Sequence, residues 1–241
     1  MFEKAEILGV KVHSVTMQQA VEIVENLVAA KKNSIVATAN AEMLMMATHD
    51  SELKQILNSA DLVVPDGAGT VWAAHHLGYE MPERVAGYDL VQELMKIAPS
   101  KSIKFFLFGS APGVAEKAKA KAEELYPGIK IVGTRNGYFK AEDEPEIISQ
   151  IKKAAPDILL VALGVPKQEK WLFKYKNELN TPVAIGVGGT LDVMAGNVKR
   201  APLWMQKAKL EWLFRAMLQP SRAGRLIALP KFVWKVHASK S

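Results

Sequence analysis

The stretch Ile103-Lys104-Phe105-Phe106-Leu107-Phe108-Gly109-Ser110-Ala111-Pro112-Gly113-Val114 decides how this 241-residue chain folds. A short apolar run ends in glycine and serine, and after Pro112-Gly113 a helical periodicity takes over as far as Leu125. A run that is apolar throughout, rather than alternating, is expected of a parallel strand covered on both faces. The same pairing recurs along the chain. Runs of β character at Ile35–Thr38, Leu62–Val64, Ile103–Phe108, Ile129–Gly133, Ile158–Leu163 and Val183–Val187 interleave with helical runs. The helical runs are Met17–Lys31, Ser51–Ser59, Leu90–Ile97, Gly113–Leu125, Glu144–Ala154 and Lys167–Glu178. This alternation predicts an α/β fold, with a mostly parallel, Rossmann-like sheet and helices on both faces. Pro99, Pro127 and Pro156 fall where each helix is expected to stop before the next strand.

Composition narrows the class further. At 49% hydrophobic and 23% charged, the chain is not a disordered one. With no cysteine it holds no disulfide framework and no Cys-ligated zinc or iron–sulfur site. The longest uncharged run, such as Leu179 to Leu191, is 13 residues, too short to span a bilayer as a helix. The start, Met1-Phe2-Glu3-Lys4-Ala5-Glu6, mixes acid and base without an apolar run, so no signal peptide is expected and the cytosol is the expected compartment.

The net charge of +6 is unevenly placed. Residues 1–198 carry 21 basic and 24 acidic residues, and residues 199–241 carry 10 basic residues and one acid, Glu211. That tail also holds Trp204, Trp212 and Trp234, three of the five tryptophans. Two units are therefore expected: an α/β domain over 1–198 and a basic, Trp-rich helical appendage over 199–241. The appendage reads as helical from Leu203 to Leu218 and from Arg222 to Leu229, with breaks at Pro220 and Pro230 and a further run from Phe232 to His237. Such a segment suits a phosphate-bearing surface, either nucleic acid or an anionic membrane.

In open α/β sheets ligands bind outside the carboxyl ends of the strands. The candidate residues cluster there. Asp66, in Pro65-Asp66-Gly67, is either the N-cap of the next helix or a general base in the cleft. Asn40, in Thr38-Ala39-Asn40, is either a cap or, with Thr38, part of a neutral hydrogen-bonding pair for a sugar or nucleotide. Gln168 is expected in the first turn of a helix that follows Pro166, pointing to the cleft. Gly186-Val187-Gly188-Gly189 leads to Asp192 and offers backbone N–H groups to phosphate, although its spacing is neither that of a P-loop nor G-x-G-x-x-G. Asp-x-Asp, Gly-x-Ser-x-Gly and spaced histidine pairs are absent, and His75-His76 read as ordinary helix residues. A site without a metal would meet a diphosphate with arginines: Arg84 in the core domain, and Arg215, Arg222 and Arg225 in the tail.

Taken in order, Thr38-Ala39-Asn40, Pro65-Asp66-Gly67, Arg84-Val85-Ala86-Gly87, Phe108-Gly109-Ser110, Gly164-Val165-Pro166-Lys167-Gln168-Glu169 and Gly188-Gly189-Thr190-Leu191-Asp192 resemble the WecG/TagA/CpsF glycosyltransferases, and most of all their teichoic acid branch. The resemblance implies an inverting, metal-independent and cofactor-free transfer of N-acetylmannosamine. The donor would be UDP-ManNAc and the acceptor the 4-hydroxyl of GlcNAc in undecaprenyl-diphosphate-GlcNAc. By position it implies Asp66 as the base, with Thr38 beside it and Arg84 offsetting charge on the leaving UDP. Asn40, Gly109, Ser110, Gln168, Gly188, Gly189 and Asp192 would bind substrate, and Arg215, Arg222 and Arg225 would reach a diphosphate from the tail. The tail then reads as a peripheral attachment to the inner face of the cell membrane, with self-association in solution covering apolar surface. Two other readings stay open: the same family with another donor, UDP-ManNAcA or a capsule sugar, and a non-enzymatic nucleotide- or RNA-binding module. Against the last, no RNA-binding signature is present.

Overall fold

A computed structural model describes residues 2–202, 204–205, 211, 213–214 and 224–239, with only the backbone for 224–228. Six parallel strands make the central sheet: β3 (Ser34–Ala39), β4 (Leu62–Pro65), β5 (Lys104–Gly109), β6 (Lys130–Arg135), β7 (Ile158–Ala162) and β8 (Val183–Gly186). Their order across the sheet is β4-β3-β8-β7-β5-β6. All six predicted strands are present and the Rossmann-like α/β expectation holds.

Both faces are covered, which is why the strands are apolar throughout. Phe105 and Leu107 point to one face and Phe106 and Phe108 to the other, and all four are buried. Helices α1 (Met17–Ala30), α5 (Gly87–Lys101), α6 (Val114–Leu125) and α9 (Thr190–Met194) pack on the first face. The second face takes α2 (Ala41–Ala47), α3 (Ser51–Ser59), α4 (Ala68–His76), α7 (Glu144–Ala154) and α8 (Lys167–Leu179). An antiparallel hairpin, β1 (Lys4–Ile7) and β2 (Val10–His13), joins this second face. Its Leu8-Gly9 turn has φ of 51° and 81°, the positive values a two-residue hairpin turn requires. His13 on β2 accepts a 3.0 Å hydrogen bond at Nδ1 from the Val63 N–H, so the hairpin covers part of β4, an edge strand.

Two expectations about proline are corrected. Pro99 lies inside α5, which runs on to Lys101, because a proline in the last turn removes one N–H and leaves most of the ladder intact. Pro230 lies inside helix α10 (Gly224–Ala238) rather than ending a helix before it. Phe232 and Val236 of α10 are 1% and 0% exposed and belong to the second-face core, so this part of the tail packs on the α/β domain. Trp234, two residues from each of them, is 73% exposed. Most of the predicted Leu203–Leu218 helix lies outside the described residues, as do Arg215 and Arg222 and the side chain of Arg225.

Candidate active site

The chain leaves β5 towards β6 and leaves β7 towards β8, in opposite directions across the sheet. Such a reversal opens a crevice at the carboxyl ends of the two strands. Gly109 and Ser110 follow β5 there. Gly109 has φ +130°, and a Cβ on it would fall 2.4 Å from the Ala162 carbonyl oxygen, so only glycine lets β5 turn this close to β7. Ser110, at φ +57°, donates from Oγ to Asp192 Oδ2 at 2.9 Å. The predicted Ser110, Gly188, Gly189 and Asp192 thus share one side of the crevice.

A second group stands at the ends of β3 and β4. The register pairs Ala39 with Pro65, which sets Asn40 and Asp66 at the same level, and the Asp66 N–H donates to the Ala39 carbonyl at 3.0 Å. Asn40 is the N-cap of α2, its Oδ1 accepting from the Met43 N–H at 2.9 Å. Its side-chain NH2 points from the same amide and remains a donor group at the strand end. Asp66 is not the N-cap of α4: Gly67 holds that position, without a side-chain cap. The half-buried carboxylate therefore stands before the helix rather than within its cap. Arg84 is brought alongside because the Val85 N–H donates to the Pro65 carbonyl at 3.0 Å.

Thr38 and Gln168 lie deeper than expected. Thr38 is 6% exposed and donates from Oγ1 to the Gly186 carbonyl at 3.0 Å, tying β3 to β8. Gln168 is 1% exposed. Its Oε1 accepts from the Gly164 N–H at 3.2 Å and the Gly188 N–H at 3.0 Å, so it binds together the turns that follow β7 and β8. Both residues tie together the strand ends and turns on which the candidate site is built.

Arg84 sits in a charge cluster. Its Nη1 lies 3.1 Å from Glu211 and its Nη2 3.8 Å from Asp89, while Arg200 makes paired bonds of 2.5 and 2.6 Å to Asp89. Glu211, the single acid of the tail, is 8% exposed and also lies 3.7 Å from Arg200 Nε. Asp89, Arg200 and Glu211 carried no role in the sequence reading. A lone acid within a basic segment was the available signal. Glu169 was also missed, and its signal was a charged residue on the apolar stripe of a helix. Among the described residues, no group of three or more His, Asp and Glu could hold a metal ion, and no helix is long and apolar enough to cross a membrane.

A carboxylate, amides, tight glycine turns and Arg84 thus gather at the ends of the parallel strands. The model of the glycosyl transferase WecG/TagA/CpsF family matches residues 5–241, and the chain belongs to that family. Within it, the N-acetylglucosaminyldiphosphoundecaprenol N-acetyl-beta-D-mannosaminyltransferase of Staphylococcus aureus strain NCTC 8325 / PS 47 is 37% identical over 239 residues, which covers 98% of this chain and 93% of that protein. The protein of the same name from strain MRSA252 is 36% identical over the same share.

Proposed function

We propose that the protein transfers N-acetylmannosamine from UDP-ManNAc to the 4-hydroxyl of the GlcNAc in undecaprenyl-diphosphate-GlcNAc, a step of teichoic acid linkage-unit synthesis. The observation that supports this reading is the near full-length likeness to relatives named as N-acetyl-beta-D-mannosaminyltransferases of N-acetylglucosaminyldiphosphoundecaprenol. The chemistry fits a single in-line displacement. Asp66 takes the proton of the acceptor hydroxyl as its oxygen attacks the anomeric carbon, and the bond to UDP breaks with inversion. One carboxylate is enough, because UDP leaves without an acid, whereas glycoside hydrolysis requires two. Negative charge building on UDP is met by Arg84 and by N–H groups of the glycine turns. Glu211 and Asp89 hold the Arg84 guanidinium in place, which limits the reorganisation needed as that charge develops.

The acceptor is a lipid, and the appendage suits its surroundings. Trp204 and Trp234 are 65% and 73% exposed, beside the excess of lysine and arginine, as expected of a segment resting at an anionic interface. The protein would then work as a peripheral protein at the inner face of the membrane, with the tail arginines turned to a substrate diphosphate or to headgroups. A transfer assay tests the donor: with a short-chain lipid-diphosphate-GlcNAc acceptor, UDP-ManNAc should be consumed in preference to UDP-ManNAcA and UDP-GlcNAc. Preference for either of the others would replace the proposed donor.

A further inference from the structure

Helix α8 buries Gln168, Glu169, Trp171, Leu172, Tyr175 and Leu179, and Glu169 is the one acid among them, 2% exposed. Its Oε1 accepts from Gln168 Nε2 at 2.7 Å. Its Oε2 is buried and has no hydrogen-bond partner among the described residues. Burial pushes this carboxyl up to about 7, against the opposing pull of the Gln168 amide and of its own backbone N–H. A core position built for stability alone would carry an apolar side chain, because an incompletely partnered buried acid destabilises the fold. Buried acids of this kind concentrate at functional sites.

The geometry says what the acid does. The Gln168 amide has one accepting end and one donating end. Two backbone N–H groups, from Gly164 and Gly188, meet the accepting end, and Glu169 meets the donating end. Turning the amide over would set its NH2 against two donors and its carbonyl against a carboxyl oxygen. The two N–H groups require that orientation, and Glu169, by accepting from the NH2 end, reinforces it. The bond between the two side chains lies over the end of β8: a Cβ on Gly186 would come 2.8 Å from Gln168 Nε2 and 3.0 Å from Glu169 Oε1. On the same residue, the Gly186 carbonyl is held by Thr38. The Gly186–Gly189 turn is thus fixed from two directions.

We propose that Glu169 is a positioning residue for the donor-binding turns, holding the Gln168 amide so that the turns at Gly164 and Gly188 keep the shape that receives a UDP-sugar. The inference rests on the reading that the strand-end crevice binds such a donor. Glu169→Met removes the acceptor with little change of length, and Glu169→Gln restores an acceptor oxygen. Three quantities are compared with wild type: the KM and kcat for UDP-ManNAc, amide exchange at Gly164 and Gly188 by NMR, and the thermal midpoint. In Glu169→Met, KM should rise roughly tenfold with kcat nearly unchanged, since binding is lost and the chemistry is not. Exchange at both glycines should quicken while the thermal midpoint stays level or rises. Glu169→Gln should return KM and exchange towards wild type. Wild-type KM and exchange in Glu169→Met would overturn the proposal. So would a fall in thermal midpoint with no recovery in Glu169→Gln, the mark of a purely structural residue. Absence of UDP-ManNAc turnover by the wild type would instead count against the donor reading, and the exchange measurement would still judge the role of Glu169.

Discussion

His13 and Glu169 titrate against one another, and separating them gives a quantitative test of the fold. Burial and the charge of Lys4, its register partner on β1, push the His13 imidazole down to about 4. Between pH 6.5 and 4 the unfolded chain takes up a proton that the folded protein refuses, so acidification destabilises. Glu169, raised to about 7, does the reverse: the folded protein holds a proton that the unfolded chain releases above about 4.5, so acidification stabilises. Each shift has a ceiling of about 3 kcal/mol, and between about pH 7.5 and about pH 5 each contributes about 2 kcal/mol with opposite sign. The wild-type stability curve hides both. Substitution exposes them. His13→Asn keeps an acceptor for the Val63 N–H without titrating, and should gain about 2 kcal/mol on acidification over that interval. Glu169→Gln should lose about 2 kcal/mol over the same interval. Urea unfolding of both variants at the two pH values measures this, and the two changes should differ by about 4 kcal/mol. Equal pH dependence in the two variants would show that neither group carries its proton as described.

Gly109→Ala should destabilise by at least about 2 kcal/mol in urea unfolding, because its Cβ would meet the Ala162 carbonyl at a φ of +130°. The same variant should bind UDP more weakly in calorimetry, since Ser110 and Asp192 would lose their register. Phe232→Ala should lower stability by about 3–5 kcal/mol, as expected for emptying a fully buried aromatic position. Trp234→Ala, at an exposed position of the same helix, should leave stability within about 0.5 kcal/mol and weaken sedimentation with anionic vesicles.

The sheet was legible because its signal is local. A strand covered on both faces must be apolar at every position, and Phe105 to Phe108 meet that requirement in one glance at the chain. The hairpin is not legible in the sequence, although Ala5 and Ile7 alternate with exposed Lys4 and Glu6 before the Leu8-Gly9 turn, because strands of four residues give too short a pattern. Asn40 and Asp66 were legible as strand ends, but only the assembled backbone shows that Asn40 caps α2 while Gly67, not Asp66, takes the cap of α4. The burial of Thr38 and Gln168 depends on Gly186, Gly164 and Gly188, which pack against them only once the sheet is assembled. Arg84 and Glu211 stand 127 residues apart in the chain, a distance over which no local pattern speaks.

In the proposed reaction Asp66 receives the acceptor proton. The direct measurement is the rate of disaccharide-lipid formation from UDP-ManNAc and a short-chain lipid-diphosphate-GlcNAc by wild type and Asp66→Asn, with UDP binding recorded alongside. Asp66→Asn should lower kcat about 100-fold or more with UDP affinity retained, as expected when a general base is removed and binding groups stay in place. Turnover by Asp66→Asn at the wild-type rate would contradict it.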